Sequence, residues 1–287
     1  MNTTKPPHTP DHTAIRVALW RAMHVLIDAK PHVLDDRIGL QLVAPDENWQ
    51  MRPDMHPQGT RGYRAAIVAR ARFIEDLVLE KFRTEELTQY VILGAGLDTF
   101  AQRNPEVLSK LKVFEIDKPE TQMWKQQRLN ELSFNLPKNL KFVAVDFEVG
   151  DSWWSKLIAA GFDVSRPAVL ASTGVAMYLT KEANKATLQQ ISKLTSGSVL
   201  AMTFMLNTEL VDAEEREQYS MVQERARAAG TPFLSLFDPN EILQLAHEAN
   251  FKSIQHISRN DLVKRYFINR DDNLKPASGE EFLIATT

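Results

Sequence analysis

The sequence predicts an α/β fold in which a mostly parallel sheet carries helices on both faces. Two observations predict it. Five short apolar runs, at 90–93, 112–116, 140–145, 168–172 and 198–204, alternate with helical stretches such as 181–194. Strands alternating with helices imply βαβ units, whose crossovers are right-handed. The first apolar run also leads into a Gly-x-Gly turn, VILGAGLDTF, which joins a buried strand to a probable helix start.

Each element follows from local pattern. Residues 1–12, rich in Pro, Thr and His, read as a tail. A helix over 13–29 is predicted by Ile15, Leu19, Met23 and Leu26 at helical spacing, and Pro31 stops it. Residues 44–62 are Pro-rich and polar and read as a loop. A second helix over 63–82 carries one apolar stripe, Ile67, Ala71, Ile74 and Val78, widened by Phe73 and Leu77. After the five strands, 207–229 reads as a polar helix outside the alternation. Asp238-Pro239 reads as an N-cap followed by Pro at the first helical position. Two last runs, 252–257 and 281–286, are expected as a hairpin-like pair at the sheet edge.

Composition narrows the function. The 287 residues carry a net charge of −3 with no basic block, which disfavours a nucleic-acid surface. There are no cysteines, so disulfides, thiolate nucleophiles and Cys-based zinc sites are excluded. Neither a signal-peptide core nor an apolar run of about 18 residues is seen, so a cytoplasmic protein without membrane contact is expected. No G-x-S-x-G elbow or HExxH motif is present, and no metal site is expected.

Four features suggest a small-molecule cofactor. Gly94 and Gly96 allow a ligand close to the backbone, and Asp98 and Thr99 are placed to cap the next helix. The dinucleotide fingerprint requires a third small residue where this chain has Thr99, so the match to NAD(P) is incomplete. Asp117 ends the second strand, 21 residues after Gly96, where a carboxylate binds ribose hydroxyls or caps a helix. Asp146 ends the third strand beside Phe147, a pair suited to an adenine amino group and ring. Arg70 falls inside the apolar stripe of its helix, where a charge needs a partner, either a ligand carboxylate or a protein one. Arg72 faces a more polar sector.

These segments together resemble the leucine carboxyl methyltransferase family, and more closely its bacterial branch, which includes polyketide O-methyltransferases. TAIRVALWRA and HVLDDRIG are similar to its N-terminal segment, VARARFIEDLV to its arginine-bearing helix, and VILGAGLDTFAQR, FEIDKPE and VAVDF to its cofactor motifs in order. GVAMYLTKEA is similar to the segment after its fourth strand. The resemblance implies a class I methyltransferase, with a Rossmann-like seven-stranded sheet forming one domain over 13–287. It also implies a helical lid from 13–62 and about 205–237. S-adenosyl-L-methionine is the implied cofactor. Arg70 would hold its carboxylate, Gly94 and Gly96 line its methionine, Asp117 bind ribose, and Asp146 with Phe147 meet adenine, with Asp98 and Thr173 also expected at the cofactor site. Two departures stand out: Thr173 replaces the family's Glu before GVAMYL, and Phe100 stands where bacterial members often have Arg. Arg103 keeps the place of a second family arginine.

The implied reaction is O-methylation of a carboxylate or hydroxyl on a small molecule. The competing readings are an NAD(P)-linked oxidoreductase and a non-catalytic cofactor-binding protein. Tyr178 and His247 are conceivable bases that nothing singles out, and Phe233, Leu234, Leu236 and Phe237 suit either an apolar acceptor pocket or the core.

Overall fold

The computed structural model describes residues 10–85, 87–146 and 152–287. Helix α1 (His12–Ile27) is capped by Asp11, whose side chain accepts from the Thr13 amide. A short α2 (Ile38–Val43) and two 3-10 turns, Trp49–Met51 and Pro53–Met55, lie within the stretch up to α3 (Arg61–Thr84). The alternating part comprises β1 (Gln89–Leu93), one-turn α4 (Phe100–Arg103), β2 (Lys112–Asp117), α5 (Pro119–Glu131), β3 (Leu140–Ala144), α6 (Trp153–Ala159), β4 (Val169–Ser172), α7 (Lys181–Ile191) and β5 (Val199–Met205). Then come α8 (Arg216–Ala228), α9 (Pro239–Glu248), β6 (Ser253–Ile257), α10 (Arg259–Tyr266) and β7 (Glu280–Thr286).

The seven strands form one sheet in the order β3-β2-β1-β4-β5-β7-β6. β1 to β5 run parallel, and β7 is antiparallel to both neighbours. Strand alternation builds a core on each face. Tyr90 and Ile92 of β1 pack with α3 residues such as Val68 and Phe73, while Val91 and Leu93 pack with Leu157, Leu188 and Ile242 from α6, α7 and α9. β1 is buried along its whole length, as a central parallel strand requires.

The two last runs pair antiparallel at one end of the sheet as expected, but not through a tight turn. β7 lies inside the sheet between β5 and β6, with the whole of α10 in the connection, and only β6 is at the edge. Phe282 and Leu283 are buried on opposite faces, because helices cover both faces of the sheet at β7. The polar helix predicted over 207–229 is shorter, starting at Arg216 behind a 3-10 turn. Asp238 caps α9 as expected, accepting from the Asn240 amide. Among the described residues no helix is long and apolar enough to cross a membrane.

Candidate active site

Strand order reverses direction at β1, which pairs with β2 on one side and β4 on the other. A crevice therefore opens at the carboxyl ends of these strands. A cavity of about 500 Å³ occupies it, within the range of roughly 300–1,000 Å³ common for small-ligand sites. Six of the eight residues expected at the cofactor site line it: Arg70, Gly94, Gly96, Asp98, Asp117 and Thr173. Asp146 stands just past the end of β3 and does not line it, because β3 is one strand further out than β2. Phe147 lies outside the described residues.

The loop after β1 is shaped by its own contacts. Gly94 has φ +68°, and a Cβ there would meet Val175 Cγ2 at 2.4 Å, so only glycine fits. Asp98 accepts from the Phe100 amide at 2.8 Å and supplies the capping bond. Thr99 occupies the N-cap position but makes no cap bond. Its hydroxyl donates to Asp36 at 2.6 Å and accepts from Arg103 Nε at 3.1 Å. Arg21 completes this buried cluster, donating to Asp36 at 2.7 Å and to the Leu97 carbonyl at 2.6 Å. The cluster ties α1 and the segment before α2 to the glycine loop, and its arginines hold the Asp36 carboxyl below its ordinary range against burial.

Asp117 accepts one backbone bond on each carboxylate oxygen. Its Oδ2 accepts from the Gly96 amide at 2.6 Å and its Oδ1 from Lys118 at 2.7 Å. Burial pushes its carboxyl up, and these amide bonds oppose the shift. A carboxylate has about four lone-pair sites, so capacity remains for ribose hydroxyls. Behind it, Lys125 on α5 is fully buried, paired with the fully buried Glu115 of β2, and donates to the Asp98 carbonyl at 2.6 Å.

Arg70 does have a carboxylate partner, and it is Glu280 at the start of β7. Nη1 donates to its two oxygens at 2.8 and 3.1 Å, and both side chains are largely buried. Gly174 packs against the guanidinium, so that an added Cβ would stand 3.1 Å from Nη2. Arg103 pairs with Glu75, whose carboxyl burial pushes up.

Two segments outside the alternating part also line the cavity. Asp11, Thr13, Ala14, Val17 and Arg21 line the cavity from α1 and its cap, and Gly230, Thr231, Pro232 and Leu234 from the loop after α8. That loop is pinned where Leu234 donates to the Met177 carbonyl at 2.6 Å, and Tyr178 meets Phe233 edge-on at 5.7 Å. Burial raises the Tyr178 hydroxyl above its ordinary range, so it remains a neutral phenol. His247 is exposed on α9 and does not line the cavity. Phe237 is fully buried against Phe204, so it belongs to the core.

Sequence reasoning missed a second, smaller cavity. It measures about 220 Å³ and lies at the ends of β5 and β7, sharing Ile67 with the larger one. Trp20, Tyr63 and Tyr219 line it together with Glu215 and Glu280. The Arg70–Glu280 pair thus stands where the two cavities adjoin.

With this strand order, and with an antiparallel strand in sixth place, the chain has the class I methyltransferase sheet rather than that of a dinucleotide oxidoreductase. The family model of leucine carboxyl methyltransferases matches residues 14–192, and the chain belongs to that family. The candidate S-adenosyl-L-methionine-dependent methyltransferase YktD of Bacillus subtilis (strain 168) is 33% identical over 208 residues, covering 72% of this chain and 67% of that protein. A candidate of the same description from Mycolicibacterium gilvum is 29% identical over 281 residues, 88% of each chain. A solved candidate methyltransferase from Thermobifida fusca YX shares the fold, with TM-score 0.57 and 16% identity over 100% of this chain and 99% of that one. The chain is therefore an S-adenosyl-L-methionine-dependent methyltransferase.

The residues present fit that cofactor. A glycine-lined loop lets it approach the backbone, Asp117 offers a buried acceptor for a ribose, and Arg70 offers a cation with Nη1 alone engaged by Glu280. Asp117→Ala should weaken S-adenosylhomocysteine binding by about 1–3 kcal/mol, the range for hydrogen bonds to a charged group. Calorimetric titration measures this, and unchanged affinity would show that Asp117 only braces Gly96.

Proposed function

We propose that the chain transfers the methyl group to an oxygen, of a hydroxyl or a carboxylate, on a small molecule. One observation carries this reading: the cavity of about 220 Å³ beside the cofactor cavity, which is below the size usual for drug-sized ligands. Its aromatic walls suit a compact apolar acceptor better than an extended polypeptide.

The cofactor supplies an activated methyl group on a sulfonium, and the protein's part is placement. Arg70 holds the carboxylate end, Gly94 and Gly96 admit the methionine portion, and Asp117 accepts from the ribose. α1 and the 230–234 loop exclude water from above. Tyr178, a neutral phenol bonded to Thr13, contributes to that closure and not to proton removal.

Incubation with S-adenosyl-L-methionine and a panel of small phenols, alcohols and carboxylic acids, beside a peptide ending in leucine, tests the reading. Mass spectrometry should find methyl on a small molecule, with base treatment separating labile esters from stable ethers. Methylation of the peptide alone would sink it.

A further inference from the structure

We infer that the smaller cavity is the methyl-acceptor subsite, and that Glu280 there accepts the hydrogen bond and then the proton of an uncharged aromatic hydroxyl. The inference rests on the O-methylation reading above and narrows it to hydroxyls, against carboxylates.

The walls define a flat slot. Trp20 and Tyr63 stack at 5.9 Å with an interplanar angle of 13°, and Trp20 Nε1 donates to the Asp54 carbonyl at 2.9 Å. The Tyr219 hydroxyl donates to the Leu206 carbonyl at 2.6 Å, and its ring lies so close to Gly279 that a Cβ there would meet Cε2 at 2.4 Å. All three rings are therefore held, and a planar ring is the shape they accept with least reorganisation.

Charge selects within that shape. The charged side chains lining the cavity are Glu215 and Glu280, with no Lys, Arg or His among the lining residues. An acceptor carboxylate would meet these two carboxylates with no cation among the lining residues, Arg70 being engaged by Glu280 from outside the cavity, whereas a hydroxyl donor would find an acceptor. Both carboxylates already accept bonds, Glu215 Oε2 from the Ser278 amide and hydroxyl at 2.7 Å and Glu280 from Arg70, but only the partner of Glu280 also lines the cofactor cavity. Tyr219 is no alternative base, because burial and the neighbouring Glu280 raise its hydroxyl well above the ordinary range. Glu280 remains. It lines the smaller cavity and is held by Arg70, which lines the cofactor cavity, so the pair stands at the boundary of the two.

The step balances. The acceptor oxygen forms its bond to the methyl carbon while the carbon–sulfur bond breaks and leaves its electron pair on sulfur. The hydroxyl proton passes to the Glu280 carboxylate, which returns it to water.

The test uses the full chain with 4-methylphenol, 4-nitrophenol (ionised at pH 8) and 4-methylbenzoate. Wild type should methylate 4-methylphenol at least about tenfold faster, in kcat/KM, than either anion. Glu280→Gln should lower transfer to 4-methylphenol by about 100-fold, the lower part of the range for general base catalysis. It should raise transfer to 4-nitrophenolate, which needs no base and loses a repelling charge. Calorimetry on protein saturated with S-adenosylhomocysteine should show 4-methylphenol binding and 4-methylbenzoate failing to bind. Turnover of the benzoate by wild type, no turnover of any probe, or an equal fall for both phenols in the variant would each overturn the assignment. Failure of wild type to bind S-adenosylhomocysteine would instead refute the cofactor site itself.

Discussion

Lys125→Met should destabilise the folded protein by about 3–5 kcal/mol at pH 8, the range for breaking a buried ion pair by removing one partner. Lys125 and Glu115 are both fully buried, and the change leaves Glu115 as a carboxylate inside the sheet. The loss should shrink as pH falls. Burial already pushes the Glu115 carboxyl from its ordinary 4.5 to about 7 with the lysine present, and its removal pushes it higher. A carboxyl with a raised folded pKa binds a proton in the folded state before it does in the unfolded one. Its contribution therefore favours folding at low pH and declines as pH rises from about 4.5 through about 7 and beyond. Urea unfolding at pH 5.5 and 8 measures the difference. A loss under about 1 kcal/mol at pH 8, or an equal loss at both pH values, would refute the account. A second variant, Lys125→Met with Glu115→Leu, should recover most of the stability, since apolar replacement of a buried pair is often neutral or stabilising. Because Lys125 also donates to the Asp98 carbonyl, both variants should loosen the glycine loop and weaken cofactor binding.

Arg70→Met should weaken S-adenosylhomocysteine binding by about 2–5 kcal/mol, the range for truncating one partner of a buried hydrogen-bonded charge pair. Two effects add. The ligand carboxylate loses its cation, and Glu280 loses its partner and becomes an uncompensated negative charge at the cavity boundary. Arg70→Met with Glu280→Gln separates them by removing the second effect. If Arg70 serves only Glu280, the single variant will lower stability while calorimetry finds affinity intact.

Much of the sheet was legible because each strand is a short apolar run with a neighbouring turn signal. That Gly94, Gly96, Asp117 and Arg70 line one cavity was legible for a related reason: their places follow from position within a single element. What pairs across the fold was not. Lys125 sits in the polar run KQQR and looks like a solvated face, yet it is fully buried because Glu115 of the neighbouring strand lies opposite. Thr99 was expected to cap the helix and makes no cap bond, because its hydroxyl is taken by Asp36 from a segment 63 residues away. Arg70 was expected to meet a carboxylate, and Glu280, 210 residues on, was invisible because nothing local places β7 beside β5. The smaller cavity depends on that same placement.

The position of β7 also bears on how the protein assembles. β6 pairs only with β7, so it has no place in the sheet until β7 is seated against β5. The cofactor half of the site draws on β1, β2 and β4 and can form early from neighbouring βαβ units. The smaller cavity waits for a contact of long sequence separation, Met205 against Glu280, which carries the larger loop-closure entropy. Arg70 of the larger cavity likewise lacks its Glu280 partner until that contact forms, so β7 completes both cavities at once.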